Sequence, residues 1–387
     1  MLRHLLFVTG TRADFGKQKP MMLEACKNHQ ISIFVTGMHL LSKYGSTWNE
    51  VKDFGVGEVY PFVNQNSQDN MAAILSKTLQ GLTDFILEKK PNLLIVHGDR
   101  VEALSGALAG LLTNTPVAHI EGGEVSGTVD EMIRHSISKL ASVHFVANQE
   151  AVEVLLQMGE RENRIFQIGS PDVDIMLSPD LPNLEVVQKK YNIGFQKYAI
   201  AIFHPVVTEI DEISHQCREF FDSLIDSNLN YVVIEPNNDP GSDIIRKHIS
   251  RLQNIERFRI FPSMRFEFFL SLLKNSLFIV GNSSAGVREA PYYGVPCVDV
   301  GTRQLGRYIS PSTFKCPVEK KAISSAIEIC LKTARIPTKP FGSIGSANRF
   351  VEVLSDESFW LIGTQKSFEK LLNKKSSFES KCCDCGQ

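Results

Sequence analysis

The stretch FIVGNSSAGVRE, residues 278–289, decides the fold, because it passes through three kinds of sequence within a short span. It begins with apolar and β-branched residues, which favour a buried strand. It continues through Gly, Asn, Ser and Ala residues, which are typical of a turn, and it ends in residues that suit a helix. A strand that leads through a small-residue turn into a helix is the unit of parallel sheets with crossover helices, so we predict an α/β fold.

The same alternation extends along the chain in both directions from this stretch. The predicted strands are Leu5–Thr9, Ile31–Thr36, Val59–Phe62, Leu93–Val96, Val117–Ile120, Val143–Val146, Ile165–Ile168, Ala199–Phe203, Tyr231–Ile234, Phe258–Phe261, Leu277–Val280 and Cys297–Val300. The predicted helices include Asn70–Lys89, Arg100–Thr113, Glu150–Met158, Ile210–Asp226, Asp243–Leu252, Phe266–Leu273 and Val287–Tyr293. Residues 177–196 are weakly patterned and are expected to join the two halves, and residues 357–372 are helical in character.

The chain length predicts two domains. Its 387 residues exceed what one hydrophobic core usually organises. We expect an N-terminal domain at residues 1–176, a C-terminal domain at residues 177–356, and a last segment at residues 357–387 whose helix packs back on the N-terminal domain. Open α/β sheets place ligands at the carboxyl ends of their strands, so two such domains that face one another predict a site in the cleft between them.

Composition and charge restrict the partners. The net charge is −2, with 43% hydrophobic and 22% charged residues, a balance that argues against nucleic acid or an anionic membrane as a partner. No apolar stretch approaches the roughly 20 residues that span a bilayer. The apolar run near the first residue lacks the small-residue cleavage site of a signal peptide. We therefore expect a soluble, cytoplasmic protein.

The eight cysteines fall into two groups. Five are scattered in apolar or helical surroundings and are predicted to be reduced: Cys26, Cys217, Cys297, Cys316 and Cys330. The other three, Cys382, Cys383 and Cys385, cluster in the tail KCCDCGQ. They could bind a soft metal, but no fourth ligand lies nearby in the sequence, so a frayed tail without a metal is the preferred interpretation.

The first predicted strand ends in the sequence TGTRADFGK, residues 9–17. This is not the G-x-G-x-x-G fingerprint, and no G-x-x-x-x-G-K-[ST] loop occurs in the chain, so nicotinamide and ATP chemistry lose their main sequence support. We predict a glycine-bearing turn that aims Arg12 and Lys17 into the cleft, where two cations suit a diphosphate. A loop with solvated charges is the alternative interpretation.

Carboxylates follow two further strands of the first half. Asp99 follows one strand in the segment HGDR, and Glu121 follows the next in HIEGGE. A third acid, Asp130, opens the next helix, where Arg134 lies one turn further on the same face. Asp130 alone could be a helix N-cap. Three carboxylates at one sheet edge are costly in a core, because like charges repel, whereas a catalytic acid/base set requires them.

Histidines also lie at or near strand ends, at His39, His97, His119 and His144. None has the spacing of an H-x-x-x-H or H-E-x-x-H motif. We therefore predict that they form hydrogen bonds around the site rather than bind a metal.

The second half supplies groups suited to phosphate and ribose. The turn at residues 281–286 exposes backbone N–H groups and a helix N-terminus, and Ser283 and Ser284 add hydroxyl donors. Glu289 follows one turn later and can accept hydrogen bonds from a ribose diol. Two other strands of this half end at His204 and close to Arg303. A helix that is simply capped by Ser283 or by the asparagine before it is the alternative.

Taken together, these residues resemble the hydrolysing UDP-N-acetylglucosamine 2-epimerases, a family that includes bacterial enzymes of sialic-acid and legionaminic-acid synthesis. The resemblance runs from residue 9 to residue 307. It rests on the segments TGTRADFGK, GMHLLSKYG, HGDRVEAL, HIEGGEVSGTVDEMIRHSISKLA, FHPV, PNNDPGS, GNSSAGVREA and GTRQLGR.

The resemblance implies a GT-B-like fold, with two Rossmann-like domains that face a central cleft. It also implies cleavage of UDP-N-acetylglucosamine to N-acetylmannosamine and UDP, for sialic acid synthesis, without a metal or other cofactor, in a homodimer or homotetramer. The residues that match the family's catalytic set are Asp99, Glu121, Asp130 and Arg134. Those that match its substrate-binding set are Arg12, Lys17, His39, Arg100, His204, Asn237, Ser283, Ser284, Gly286, Glu289 and Arg303.

Such a reaction is expected to pass through a glycal. Departure of the diphosphate leaves an oxocarbenium-like sugar, whose C2 proton a carboxylate can remove. Water then adds at C1, and a proton returns to C2 from the other face. Asp99 and Glu121 are alternatives for the first base, and we expect Asp130, placed by Arg134, to serve the hydration.

Three other interpretations fit the same features. The first is the same chemistry on 2,4-diacetamido-2,4,6-trideoxyglucose carried on UDP or GDP, as some relatives perform. The second is a GT-B glycosyltransferase, which shares the fold but needs an acceptor. The third is a catalytically silent sugar-nucleotide sensor, which would bind the ligand but has no need of the acid cluster.

Overall fold

Two parallel β-sheets organise the chain in this computed structural model, which describes residues 2–66, 69–125, 129–237 and 239–367. The first sheet contains β1 His4–Thr9, β2 Gln30–Val35, β3 Glu58–Pro61, β4 Leu93–His97, β5 Val117–Ile120, β6 Val143–Val146 and β7 Ile165–Gln167. The second contains β8 Ala199–Ile202, β9 Tyr231–Ile234, β10 Phe258–Phe261, β11 Ile279–Gly281, β12 Cys297–Val300 and β13 Thr313–Cys316. The strand orders are β3-β2-β1-β4-β5-β6-β7 and β10-β9-β8-β11-β12-β13.

Helices connect and cover the strands. In the first half they are α1 Arg12–Ala25, α2 Trp48–Asp53, α3 Met71–Lys89, α4 Val101–Leu112, α5 Val129–Leu140, α6 Gln149–Gln157 and α7 Pro171–Met176. In the second half they are α8 Leu184–Tyr191, α9 Ile213–Asp226, α10 Ser242–Ile249, α11 Phe266–Asn275, α12 Ala290–Tyr293, α13 Lys320–Lys332 and α14 Ser346–Ser355. None of the helices in the described ranges is long and apolar enough to cross a membrane.

Both faces of each sheet are buried. Leu5 and Phe7 of β1 belong to one hydrophobic cluster, and Leu6 and Val8 belong to another. Because alternate residues of a strand point to opposite faces, β1 must be covered on both sides. The four residues of β8 divide between two clusters in the same way. This is the burial that helices on both faces give to a parallel sheet.

The strand order reverses beside the first strand of each sheet. β1 pairs with β2 on one side and with β4 on the other, and β8 lies between β9 and β11 in the same manner. Ligands of open α/β sheets bind outside the carboxyl ends of the strands at such a reversal. The predicted fold class, two Rossmann-like domains around a cleft, is confirmed.

The prediction of a turn over residues 9–17 is wrong from Arg12 onward, because α1 begins there. The side chain of Thr11 accepts a hydrogen bond from the backbone N–H of Asp14 at 3.2 Å, and the Asp14 carboxylate accepts one from the N–H of Thr11 at 3.3 Å. This reciprocal pair is a capping box. The helix was missed because Gly16 and Pro20, both poor helix formers, lie inside it.

The C-terminal part of the chain also differs from the prediction. Helix α14 packs against α1 and α7, and its Phe350 belongs to the same hydrophobic cluster as Leu5 of β1. The helix expected at residues 357–372 is not formed where the structure describes it, because Phe359–Leu361 form only a single 3-10 turn. Residues 368–372 and the three cysteines of the tail lie outside the described residues.

Six further elements are absent from the predicted set, namely strand β13 and helices α2, α7, α8, α13 and α14. A weak local signal explains two of them. Strand β13 is at the edge of its sheet and only partly buried, so its sequence lacks the apolar run of the central strands. Helix α8 lies inside the weakly patterned residues 177–196, where charged residues surround a single buried side chain, Val187.

Candidate functional site

Two cavities lie side by side in the cleft between the sheets. The wide cavity has a volume of about 240 Å³, and its lining includes Arg12, His204, Asn237, Ser283 and Glu289. The acid cavity has a volume of about 180 Å³, and its lining includes Asp99, Arg100, Glu121, Asp130, Arg134 and Arg303. The residues that line both cavities are Thr11, Ala13, Lys17, Asn237 and Ser284. The two cavities therefore adjoin along the start of α1 and the turn after β11.

Helix α1 places its cations at the domain boundary. Arg12 lies 2.7 Å from Glu50 of its own domain, and its Nη1 donates to Ser263 of the second domain at 3.0 Å. Gly16 lets α1 approach the second domain closely, since a Cβ there would lie 2.9 Å from that of Phe266. Lys17 thereby reaches the boundary of both cavities from the second turn of the helix.

Asp99 and Glu121 are brought together by one arginine. Asp99 follows β4 and Glu121 follows β5, and these strands are neighbours in the sheet. Arg134 of α5 donates to the Asp99 carboxylate and, at 2.6 Å, to the backbone carbonyl of Glu121. Glu121 has a φ of 68°, in the left-handed region that few residues other than glycine adopt. The sequence did not predict this strain, which the surrounding contacts hold in place.

The carboxylate of Glu121 is almost fully buried, at 6% exposure. Burial opposes its ionisation, but the Arg288 guanidinium at 2.7 Å, together with His97 and Lys17, holds the pKa of Glu121 well below its ordinary value. His97 Nε2 lies at 3.3 Å and Lys17 Nζ at 3.8 Å from the same oxygen. Glu121 is therefore an anion fixed at the floor of the acid cavity.

The pKa of Asp130 is shifted in the opposite direction from that of Glu121. Burial and the neighbouring Asp99 raise the pKa of Asp130 to about 6, and Arg303, at 3.3 Å, acts against that rise. Helix α5 begins at Val129, so Asp130 lies in its first turn. Its contact with Arg303 comes from the second domain, whereas the sequence predicts that Arg134 places it. One acid of the set is thus held as an anion, and another can keep a proton near neutral pH.

His119 supports the loop after β4 through hydrogen bonds. His119 Nε2 hydrogen-bonds to the carbonyl of Gly98 at 2.8 Å, and its Nδ1 lies 3.2 Å from Ser138 Oγ. Burial lowers the pKa of His119 to about 3, so the ring is neutral at physiological pH. In the part of the chain that the structure describes, no group of three or more His, Cys, Asp or Glu side chains could hold a metal ion.

The second domain supplies the other wall. Asn282 accepts from the backbone N–H of His204 at 2.7 Å and donates to its carbonyl at 2.8 Å, which ties the end of β8 to the end of β11. The predicted helix after Ser284 is shorter than expected, because one 3-10 turn at Ser284–Gly286 precedes a four-residue α12. Ser283 accepts from the backbone N–H of Ala285 at 3.3 Å and begins this turn.

Arg100 and Glu289 are two further ionisable side chains that line the cavities. Arg100 Nε lies 3.4 Å from Glu102 in the lining of the acid cavity. The pKa of Arg100 is raised, since its neighbouring carboxylates outweigh burial. Burial raises the pKa of Glu289, whose Oε1 lies 3.7 Å from Lys17. Its Oε2 has no hydrogen-bond partner within the described protein, so it is free to bond to a ligand.

Two predicted substrate-binding residues do not line either cavity. The ring of His39 is fully buried between Thr9 and Thr47, with nitrogen–oxygen distances of 3.0 and 2.7 Å. Gly286 is required by packing, because a Cβ would overlap Cys297 Sγ of β12. Both residues support the loops that bear the site.

Sequence reasoning missed Arg288, Asp172 and Arg307. Arg288 and Arg307 line the acid cavity, and Asp172 lies 3.2 Å from Lys17. The two arginines belong to the quoted segments GNSSAGVREA and GTRQLGR, so a test of every charged residue in those segments would have found them. Asp172, in the first turn of α7, has no comparable sequence signal.

Comparison with known proteins agrees with this geometry. A sequence model described as UDP-N-acetylglucosamine 2-epimerase matches residues 21–355. A Neisseria meningitidis serogroup B protein, UDP-N-acetylglucosamine 2-epimerase, is 44% identical over 374 residues, covering 95% of this chain and 99% of its own. A Legionella pneumophila protein, UDP-N,N'-diacetylbacillosamine 2-epimerase (hydrolyzing), is 34% identical over 98% of this chain and 100% of its own.

A solved structure shares the fold. The Methanocaldococcus jannaschii UDP-GlcNAc 2-epimerase, in complex with UDP-GlcNAc and UDP, superimposes with a TM-score of 0.75 at 22% identity, covering 91% of this chain and 99% of its own. The similarity supports the arrangement of two α/β domains around a cleft.

Proposed function

The chain belongs to the UDP-N-acetylglucosamine 2-epimerase family, and on that premise we propose that it is a hydrolysing member, which converts UDP-N-acetylglucosamine and water to N-acetylmannosamine and UDP. The observation that supports this best is the contact between the two cavities. Lys17 and Ser284 line both of them, so a diphosphate bound there joins a nucleoside in the wide cavity to a sugar beside three carboxylates.

The wide cavity suits a nucleoside diphosphate. Arg12 and Lys17 provide positive charge, and Ser283 and Ser284 provide hydroxyl donors around the shared boundary. The Oε2 of Glu289, which has no partner in the described protein, can accept from a ribose hydroxyl. In this arrangement the negative charge that develops on the leaving UDP is stabilised as the glycosyl bond breaks.

The first step is elimination. The bond between C1 and the diphosphate oxygen breaks, and its electron pair leaves with UDP. The bond between C2 and its hydrogen supplies the electrons of the new C1–C2 double bond, and the proton passes to Asp99. Arg134 orients this carboxylate, and the anionic Glu121 stabilises positive charge on the sugar. The products are 2-acetamidoglucal and UDP.

The second step is hydration. Asp130 donates its proton to C2 from the other face, while water adds to C1 and releases one of its protons to solvent, which gives the epimer with a free reducing end. Asp99 then loses to solvent the proton that it took from C2, and Asp130 takes one up, which restores the starting ionisation. Asp130 suits this role because its pKa is raised to about 6, close enough to neutrality for a proton donor. Glu121 does not suit proton transfer, since its pKa is held well below the ordinary value. Of the alternatives left open by the sequence, this assignment favours Asp99 as the first base.

The products of an incubation without an acceptor test the proposal. We expect stoichiometric UDP and free N-acetylmannosamine from UDP-N-acetylglucosamine, observed by ³¹P and ¹H NMR. A mixture of the two UDP-sugars without free UDP would identify a non-hydrolysing epimerase instead. No reaction until an acceptor is added would identify a glycosyltransferase.

Isotope incorporation tests the elimination itself. In D₂O, the product should carry deuterium at C2, because the proton that returns comes from solvent through Asp130. Retention of the original hydrogen at C2 would exclude proton abstraction by any residue of the site.

A second candidate substrate is supported by one comparison. The Legionella relative, which matches nearly the whole chain, is named for a UDP-N,N'-diacetylbacillosamine, a 2,4-diacetamido-2,4,6-trideoxy sugar. The same two steps apply to that sugar on UDP or GDP, since they involve only C1 and C2. A panel of UDP-N-acetylglucosamine and the UDP- and GDP-linked diacetamido sugars, compared by kcat/KM, distinguishes the candidates.

A further inference from the structure

Arg288 crosses the domain boundary and contacts three carboxylates of the other domain. It lies between β11 and α12 of the second domain, and its Nη2 donates to Glu121 at 2.7 Å. Its Nε and Nη2 donate to Asp172 at 3.2 and 3.1 Å, and its Nη1 donates to Glu124. Ser170 accepts a further bond from Nη2 at 2.8 Å. The guanidinium also lies over the ring of Phe341 at 4.4 Å, which leaves it one geometry.

These charges are buried together. The Arg288 side chain is 2% exposed, and those of Glu121, Glu124 and Asp172 are 6%, 4% and 1% exposed. Buried ion pairs of this kind contribute little net stability, but removal of one partner leaves the others unpaired at high cost. A residue with that property is suited to specifying a single arrangement of the two domains.

The pKa values of the three acids around Arg288 are shifted in different directions. Although burial opposes it, Arg288 and Lys17 lower the pKa of Asp172, and Arg288 does the same for Glu121. Burial raises the pKa of Glu124. Arg288 acts against the rise at Glu124, so it favours the ionised form of all three carboxyl groups, and Glu121 is one of them.

From these contacts we infer that Arg288 is a positioning residue, which reaches from the second domain to hold the Glu121 carboxylate in the acid cavity and so completes the acid set only when the domains are apposed. Arg303 and Asp130 meet across the same boundary, so two of the three acids depend on the second domain. The expected loss of turnover rests on the proposed function. The expected change in the titration of Glu121 rests on the contacts alone.

The pH at which Glu121 titrates tests the positioning role of Arg288 directly. The titratable or charged groups that face it are Arg288 from the second domain, His97 at the end of β4, Lys17 of α1, Arg134 of α5, and the carboxyl groups of Glu124 and Asp172. Arg288 is the nearest of the basic groups to a carboxylate oxygen of Glu121. Loss of Arg288 should therefore move the titration of Glu121 to higher pH, while Lys17, Arg134 and the His97 ring remain beside it.

Two variants separate charge from geometry. Arg288→Lys keeps the charge but not the planar fork, and Arg288→Met keeps the chain length but not the charge. In the full-length protein labelled with [δ-¹³C]glutamate, the Glu121 resonance is assigned by its absence from Glu121→Gln. Glu121 should titrate at the lowest pH in the wild type, higher in Arg288→Lys and highest in Arg288→Met.

Turnover gives the second readout. We expect kcat to fall at least tenfold in Arg288→Lys and further in Arg288→Met, while the Kd for UDP, measured by calorimetry, changes less than threefold. A folded Arg288→Met protein with an unshifted Glu121 titration and wild-type kcat would overturn the inference. So would an equal loss of UDP affinity and kcat, because that would make Arg288 a general support of the cleft.

The role of Arg288 can still be tested if the Arg288→Met variant does not fold. If Arg288→Met is unfolded, the triple variant Arg288→Met, Asp172→Asn and Glu124→Gln removes the unpaired buried charges but keeps Glu121. If the triple variant folds, the raised Glu121 titration and low kcat support the role, and wild-type values contradict it. If it does not fold, the residue is structural and the inference is wrong. An inactive wild type would instead contradict the proposed function, and the NMR titration would still decide the role of Arg288.

Discussion

Arg303 and Asp130 belong to different domains, and their side chains meet at 3.3 Å in the acid cavity. The acid that is proposed to return the proton to C2 is therefore balanced by a cation from the opposite wall. Asp99 acts on Asp130 in the other direction, because its negative charge raises the pKa of Asp130. Burial makes the largest contribution to the raised pKa, and Asp99 and Arg303, which are far apart in the sequence, act on it in opposite directions.

The pH dependence of kcat/KM should reflect Asp130. Its pKa is raised to about 6, so the group is protonated below that pH and ionised above it. As a proton donor it must be protonated in the free enzyme, and kcat/KM should fall as the pH rises through about 6. In Arg303→Gln this alkaline limb should move to higher pH, because the cation that lowers the pKa is gone. The position of the limb is the measurement, since loss of Arg303 also weakens diphosphate binding; a limb that does not move would contradict the assignment.

Asp99→Asn should abolish most turnover while UDP still binds. The amide keeps the size of the carboxylate but cannot accept the C2 proton, and general-base catalysis is worth about 10²- to 10⁴-fold. We expect kcat to fall by that factor, with a Kd for UDP within threefold of the wild-type value by calorimetry. Asp243→Asn is the matched control, because this aspartate is 96% exposed on α10 and should leave both quantities unchanged. Equal losses of kcat and UDP affinity would show that Asp99 supports the fold of the site instead.

Gly281→Ala should be strongly destabilising. Gly281 has a φ of 133°, a backbone conformation that residues with a side chain rarely adopt. A Cβ there would overlap the carbonyl oxygen of Ile202 on β8. We expect the free energy of unfolding to fall by about 3 kcal/mol or more, measured by urea denaturation. Gly194→Ala should change it little, because nothing lies within 4 Å of a Cβ at that position. Similar stabilities for the two variants would contradict the structure of this turn.

Glu160 should make the free energy of unfolding depend on pH in the acid range. Its carboxylate lies 2.7 Å from Lys139 and 3.2 Å from His144. These hydrogen bonds outweigh burial and lower the pKa of Glu160 to about 2. A depressed acid stabilises the fold above its unfolded pKa of about 4.5, and that stabilisation is lost as the pH falls from about 4.5 towards 2. The contribution at neutral pH is on the order of 2 kcal/mol.

The matching experiment compares two glutamine variants by thermal unfolding. Glu160→Gln should be less stable than the wild type at pH 7, and the difference should shrink below about pH 4.5. Glu58→Gln, which removes a half-exposed partner of Lys89, should have a small effect at every pH, since exposed ion pairs are weak. A difference for Glu160→Gln that stays constant down to pH 3 would contradict the depressed pKa.

The sequence determined the α/β class, the central strands and the positions of the three acids. These features are local: a buried parallel strand is an apolar run in any fold, and residues that follow such strands must reach the crevice at their carboxyl ends. For that reason the sequence alone places Asp99 and Glu121 at one site, and the helix that Asp130 opens follows the second of these strands. Some of the missed elements have a weak local signal, such as α1 with its internal glycine and proline. Helices α13 and α14 were missed although apolar residues recur at helical spacing in both.

Only the tertiary structure decided how the acids differ from one another. Glu121 is anionic because Arg288, which is 167 residues away in the sequence, contacts it across the domain boundary. Asp130 holds its proton up to a higher pH than an ordinary aspartate because burial and Asp99 outweigh Arg303. A pKa depends on the sum of desolvation and nearby charges in three dimensions, and both are set by how the two domains pack. Sequence patterns report which residues reach an edge of a sheet, and the packing of the domains determines which charges they meet there.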